Sequence, residues 1–278
     1  FHVYKKDSYR FDFKKLFCRI FLPFFIVQLV PFLHGLYTSD NYKLFIANVL
    51  IRGGIGPGAY YPWLYLQLAI LIPLIKPLFG KGSFATKTIV ALLICEGFEI
   101  LESLVNVPAY AHRLLSIRYF FLIFLGWIWV ERGIIINWKT IILSLLSFAT
   151  VIYFEYFYVS VEPWFYDTVW KTHRWPCYLY VSTFLCAILY LIYSKIRNNN
   201  FISKVVSIIA KSSYEIFLIQ MVSIAMIPSY DFTNSNLANF AIWVFMIFSI
   251  SIVGGYYFHI AYNKFLEMVN IQGGNLEL

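Results

Sequence analysis

The chain has 278 residues, 60% of them hydrophobic and only 13% charged, with a mean hydropathy of +0.70 and a formal charge of +8. A soluble domain carries about a quarter charged residues, so there are too few charges here to coat a globular surface, and the soluble class is excluded. Apolar stretches of roughly 20 residues recur, each long enough to cross about 30 Å of hydrocarbon. In lipid every backbone group must find its hydrogen bond within the protein, which makes each span helical. The alternating apolar/polar pattern of a membrane barrel is missing. The composition therefore predicts an all-α, polytopic transmembrane helix bundle, read as a single domain over residues 1–278.

In chain order, residues 1–15 (FHVYKKDSYRFDFKK) read as a basic cytoplasmic lead-in. A cleaved signal peptide does not fit, because these positive charges would then be translocated. About eight spans follow, expected over residues 16–36, 61–80, 86–106, 117–131, 136–158, 177–195, 204–228 and 237–262. The fourth is short.

Residues 37–60 (TSDNYKLFIANVLIRGGIGPGAYY) read as an outer loop. Its IANVLIRGG portion predicts a short interfacial helix ended by glycine. Gly53, Gly54, Gly56 and Gly58 permit tight backbone near a ligand or a neighbouring helix. Tyr60, Tyr61, Pro62 and Trp63 are expected at headgroup level, with Pro62 in the first helical turn. Tyr60, Tyr61, Trp63 and Gln67, the glutamine inside the following apolar run, are expected among the substrate-binding residues.

The third span carries Glu96, Glu99 and Glu102 three residues apart, hence on one slowly turning helix face. Carboxylates are costly in hydrocarbon and need partners. Either that face looks into a polar cavity, with Glu99 or Glu102 holding a catalytic or substrate group, or the acids lie near the water boundary and pair with Arg113 or Arg118. Glu155, set among aromatics, is a second acid of this kind. The outer loop at residues 159–176 places Glu162, Asp167, Lys171, His173 and Arg174 among Trp164, Trp170 and Trp175. Rings beside polar side chains suit sugars, whose C–H faces stack while their hydroxyls accept and donate hydrogen bonds. An interfacial aromatic belt explains the tryptophans by itself, and the clustered His-Arg less well. Of the four cysteines (Cys18, Cys95, Cys177 and Cys186) none forms a CxxC pair. Disulfide and zinc readings fail on spacing, no metal site is expected, and the cysteines read as small packing residues.

Lys and Arg set the orientation. With the N-terminus of this chain cytoplasmic, sixteen of the 22 basic residues lie inside and six outside. The positive charge then reflects this asymmetry and attraction to anionic lipid heads, and needs no nucleic acid. The expected outcome is that, in a background without native cysteines, an impermeant thiol reagent applied from outside labels a cysteine at Thr172 and spares one at Asn199. The reverse pattern would overturn the orientation.

Five segments resemble, in order, motifs of the acyltransferase-3 family of integral membrane acyltransferases. KKLFCRIFLPFF resembles the family's F-x-x-K-R-x-x-R-I-x-x-P lead-in, and GPGAYYPWLYLQLAILIPLI its G-P-G-S-Y-Y…Q…P segment. IRYFFLIFLGWIW is similar to R-Y-F-x-x-F-x-x-G, HRWPCYLYVS to P-P-x-x-Y-x-x-S, and KSSYEIFLIQMV to S-Y-x-I-F-L-I-H. The resemblance implies a bundle of about ten helices in the inner cell membrane. It implies transfer of an acyl group, often acetyl, from a cytoplasmic acyl-CoA donor to a hydroxyl of a cell-surface polysaccharide or lipid-linked glycan, with membrane lipids around it and no bound cofactor. The family's hallmark Arg and His, ten residues apart in its first membrane helix, have no match here. Arg19 and His34 have a different spacing and lie in the next span. The expectation is that one or two further helices precede Phe1 and supply the general base. Gln220 stands where the family often has His.

Such a reaction must deprotonate a hydroxyl and stabilise an oxyanion. The expected catalytic residues are Glu99, Glu102, His173 and Arg174. Arg113 and Arg118 are expected to contact the donor's phosphates or the oxyanion, and Trp175 and Tyr178 to bind substrate. Two other classes fit the residues. One is a transporter or flippase, disfavoured by the lack of an internal repeat or of matched broken helices. The other is a non-catalytic binding module on the same scaffold.

Overall fold

The computed structural model describes residues 13–79, 83–105, 114–133, 136–153, 175–196, 199–228 and 236–269, and every regular element among them is helical. The described residues fall into two compact units, one within Leu64–Lys195 and one within Asp12–Trp63 and Ile196–Leu278.

In the second unit, α1 runs over Phe13–Thr38 and includes a π-helical turn at Phe17–Phe21. Helix α2 spans Tyr42–Arg52; Asn41 caps its first turn by accepting from the Leu44 N–H, and Gly53 ends it in the left-handed region at φ 76°. The expected glycine-ended helix is thus present, extended at its start. Helix α3 begins at Tyr61 with Pro62 in its first turn, as expected; Tyr61–Trp63 belong to this unit and the rest of Tyr61–Phe79 to the other.

Between α2 and α3 the chain packs against α1. The Phe45 ring packs against Phe32 at 5.8 Å and fills the space beside Gly35. Further on, Gln28 brackets Ile55, donating from Nε2 to the Ile55 carbonyl (2.9 Å) and accepting the Ile55 N–H on Oε1 (2.8 Å). Trp63 then meets Phe21 edge-on at 5.3 Å. From Gly35 to Phe21 is about 21 Å of helix at 1.5 Å per residue. The segment therefore returns along α1 instead of staying level with its end. Irregular backbone packed among apolar helices needs protein partners for its polar groups. Gln28 serves Ile55, and the Trp63 indole donates to the Gly53 carbonyl at 2.9 Å. Gly56 has φ +96°, and a Cβ there would stand 2.6 Å from the Met221 carbonyl oxygen. Gln28→Leu is expected to orphan both Ile55 groups at roughly 1–3 kcal/mol each, read as a lower thermal midpoint in detergent. An unchanged midpoint would show that Gln28 does not hold the loop.

The expected span at 204–228 is two helices, α8 over Asn200–Lys211 and α9 over Ser213–Met226, bent by 64°. Ser212 sits buried at the joint, and its hydroxyl donates to the Ile208 carbonyl at 2.9 Å. This is the competition with backbone bonding that lets serine interrupt a helix. Helix α10 (Asn236–Met268) packs along α9, and α9 packs on α1.

The first unit holds the remainder of α3, then α4 (Phe84–Leu104), a 3₁₀ turn at Ser116–Tyr119, α5 (Phe120–Arg132), α6 (Trp138–Ile152) and α7 (Trp175–Ile196). Its core joins Ile75, Ala91 and Cys95 to Phe120, Phe124 and Trp127. Cys95 is a buried packing residue, as its surroundings predict. Gln67 holds the entry to the 3₁₀ turn, donating to the Leu114 carbonyl (2.6 Å) and accepting the Ser116 N–H (3.0 Å).

Two described helices, Phe13–Thr38 and Leu237–Met268, are long and apolar enough to cross a membrane, and the bent α8–α9 pair makes a third if it is one span. Shorter apolar helices occupy 61–75, 120–129, 138–150 and 183–196. Chain composition and these helices are those of a helical membrane protein.

Candidate functional site

Among the described residues of the second unit, a cluster of polar side chains lies where α1, α9 and α10 meet. Glu215, in the first turn of α9, is buried, and its Oε2 lies 3.2 Å from Nδ1 of the half-buried His259 on α10. Both atoms are sealed from solvent, and the pair lies off the line of a hydrogen bond. On the other edge of the ring, Asn263 Nδ2 is 3.0 Å from Nε2. With the amide donating, Nε2 is the basic nitrogen and the proton of the neutral ring sits on Nδ1, facing the carboxylate. The ring is thus flanked by a carboxylate on one edge and an amide on the other.

Local sequence sets this arrangement. His259 and Asn263 are four apart on α10 and so share a face. The two helices approach closely at Gly255, one turn before His259, where an added Cβ would stand 2.4 Å from the Ile216 Cα. Small residues at such crossings let backbones touch. Two tyrosines then tie α9 and α10 to the π-helical turn of α1. The Tyr214 hydroxyl donates to the Ile20 carbonyl (2.7 Å), and the Tyr262 hydroxyl to the Cys18 carbonyl. A π turn frees carbonyls from regular pairing and often marks a functional site. The Tyr61 ring packs on Tyr214 (6.1 Å) and Phe217 (5.3 Å), so the return of the glycine-rich segment ends beside the residue that precedes Glu215. Three departures from regular helix thus surround one polar group: the π turn, the glycine-rich segment and the break at Ser212.

The residues singled out in the sequence are distributed otherwise. Arg113, His173 and Arg174 lie outside the described residues, as do Glu155 and most of the 159–176 loop. Glu99 and Glu102 fall on α4, Arg118 in the 3₁₀ turn, and Trp175 and Tyr178 on α7, by backbone position. Tyr61 and Trp63 join the second unit's packing, Tyr60 is half-buried just before α3, and Gln67 braces a turn of the first unit. His34 is exposed near the end of α1. Among the described residues no group of three or more His, Cys, Asp or Glu could hold a metal ion.

Sequence reasoning missed Glu215, His259 and Asn263. A signal existed. His259 stands in an apolar run of more than twenty residues, GGYYFHIAYNKF at its end, and an ionisable residue at such a place is a functional candidate by default. Its acid lies 44 positions earlier, in the KSSYEIFLIQMV segment, at the position the resembled motif leaves open. The chain matches no protein-family model, no curated protein and no solved structure.

Proposed function

We propose that the chain is a membrane-embedded O-acyltransferase. It moves an acyl group, acetyl in the simplest case, from an acyl-CoA-type thioester to a hydroxyl of a cell-surface polysaccharide or lipid-linked glycan, with His259 as general base. The observation that supports this reading is the His259–Glu215 pair, 3.2 Å apart in an apolar helix interface. A thioester is already activated, so the enzyme's main tasks are to take a proton from the acceptor and to hold the oxyanion. On this reading the acceptor hydroxyl displaces Asn263 from Nε2 and gives its proton to the ring as the oxygen attacks the thioester carbon. Collapse of the tetrahedral species breaks the C–S bond, and the imidazolium returns the proton to the leaving thiolate. Glu215, 3.2 Å from Nδ1, stabilises the ring's cation by its charge, one part of what a carboxylate does behind a catalytic histidine.

The basic residues Lys14, Lys15 and Arg19 of α1 lie near the same end as Cys18 and Tyr262, the end that charge asymmetry predicts to be cytoplasmic. That suits a phosphate-bearing donor arriving from inside. For the first unit by itself, Arg113, Arg118, Arg174 and His173, with Trp175 and Tyr178, remain proposed glycan contacts, and Glu99 and Glu102 the proposed acidic wall of a cavity. The test is to supply membranes holding the full protein with an acetyl-labelled CoA thioester and glycan acceptors, and to measure label in the glycan. Transfer that depends on the chain supports the proposal.

A transporter or flippase is the second reading. The 64° break between α8 and α9 favours it, since discontinuous helices and buried His–acid pairs also serve substrate sites and proton relays. Movement of a labelled glycan across the bilayer without acyl transfer would select that reading.

A further inference from the structure

We infer that α8 is an interfacial helix that beds its apolar face in the bilayer surface and reads anionic phospholipid headgroups through Lys204 and Lys211. This holds whichever reaction the chain carries out. At 3.6 residues per turn, Phe201, Ile202, Val205, Val206, Ile208 and Ile209 of Asn200–Lys211 share one side, and Ser203, Lys204, Ser207 and Lys211 share the other. No residue of α8 is buried, and no acid interrupts its polar side. An amphipathic helix whose apolar stripe finds no protein to cover it belongs in the headgroup–acyl boundary when the protein is a membrane protein.

Two further observations select that occupant. The axis of α8 turns by 64° from α9, so if α9 runs with the bundle, α8 lies toward the bilayer plane. Its neighbours α9 and α10 place it at the end of the unit where basic residues gather. The bonds from Tyr214 to Ile20 and from Tyr262 to Cys18 bring the start of α9 and the last turns of α10 to the start of α1. There Lys14, Lys15 and Lys264 stand exposed, at the same end of the unit as the helix that carries Lys204 and Lys211. Lys211 lies in the last turn, where the helix dipole alone favours a cation. Lys204 has no such local reason, which makes it the sharper probe.

The experiment uses the full chain, cleared of native cysteines, in vesicles of phosphatidylcholine alone or mixed with phosphatidylglycerol. A fluorophore is placed at Val205→Cys or at Ser207→Cys. The expected result is that the label at 205 is quenched by lipid-borne quenchers and the label at 207 by aqueous iodide. Energy transfer to a fluorescent anionic lipid should show enrichment around α8 that falls about fivefold for each lysine changed to Gln, the ratio matching about 1 kcal/mol per basic residue at an anionic surface. Lys204→Arg should retain it. Equal iodide access at both positions would overturn the inference. So would shielding of position 205 from both quenchers together with cross-linking between copies, which would make the face a protein contact. Displacement of the anionic lipid by a soluble nucleoside polyphosphate at equal charge concentration would assign the lysines to a soluble phosphate ligand and overturn the lipid reading.

Discussion

Replacing His259 with alanine is expected to lower acyl transfer by about 10²–10⁴-fold, the usual contribution of a positioned general base, equivalent to about 2.7–5.5 kcal/mol of transition-state stabilisation. Membrane insertion and the thermal midpoint should change little by comparison, because the ring is half-buried and not part of an apolar core. Glu215→Gln keeps volume and polarity but removes the charge beside Nδ1, so its loss should fall on kcat and leave donor KM nearly unaltered. Asn263→Ala should cost far less than either, since the incoming hydroxyl takes its place at Nε2. Full activity in His259→Ala would remove this histidine from the chemistry. Equal losses in all three variants, with a common fall in stability, would assign the group a structural role.

The second large effect is expected at Gly255. An alanine there would put its Cβ 2.4 Å from the Ile216 Cα and 2.6 Å from the Ile216 nitrogen. Backbone cannot swing aside as a side chain can, so α9 and α10 must separate, and overpacking of this kind costs roughly 1–3 kcal/mol or more. The same separation moves Glu215 away from His259, so activity should fall further than stability alone explains. Gly254→Ala should be milder, since its nearest neighbour is the Ile219 Cγ2 methyl at 3.2 Å. Gly97 and Gly126 meet nothing within 4 Å, and alanine at either should be neutral or slightly stabilising through helix propensity. A neutral Gly255→Ala in thermal unfolding would contradict the close α9–α10 crossing.

Part of this could be read in the sequence for physical reasons. The long apolar helices α1 and α10 follow from hydropathy, and the end of α2 follows from Gly53, because few other residues accept its left-handed conformation. Proline in the first turn of α3 needed only the absence of an N–H partner there. The break at Ser212 was hidden because averaging over 204–228 masks the polar side of α8 beneath Val205, Val206, Ile208, Ile209 and the apolar run that follows. Glycines at 53–58 announce close approach without saying to what, so the return along α1 depended on Gln28, 27 positions away from the Ile55 that it brackets. Distance in sequence likewise concealed the Glu215–His259 pair, whose members lie 44 positions apart on different helices.

Whether His259, set by Glu215, acts as the base of a thioester-to-hydroxyl transfer is most directly measured in vesicles containing the purified full chain. Acetyl-labelled thioester is supplied on the side bearing Lys14 and Lys211, and glycan acceptor is present. The expected result is label in the glycan, with one free thiol released per acetyl group transferred, and loss of both in His259→Gln. Undiminished transfer by His259→Gln, or passage of the glycan across the bilayer with no label incorporated, would contradict it.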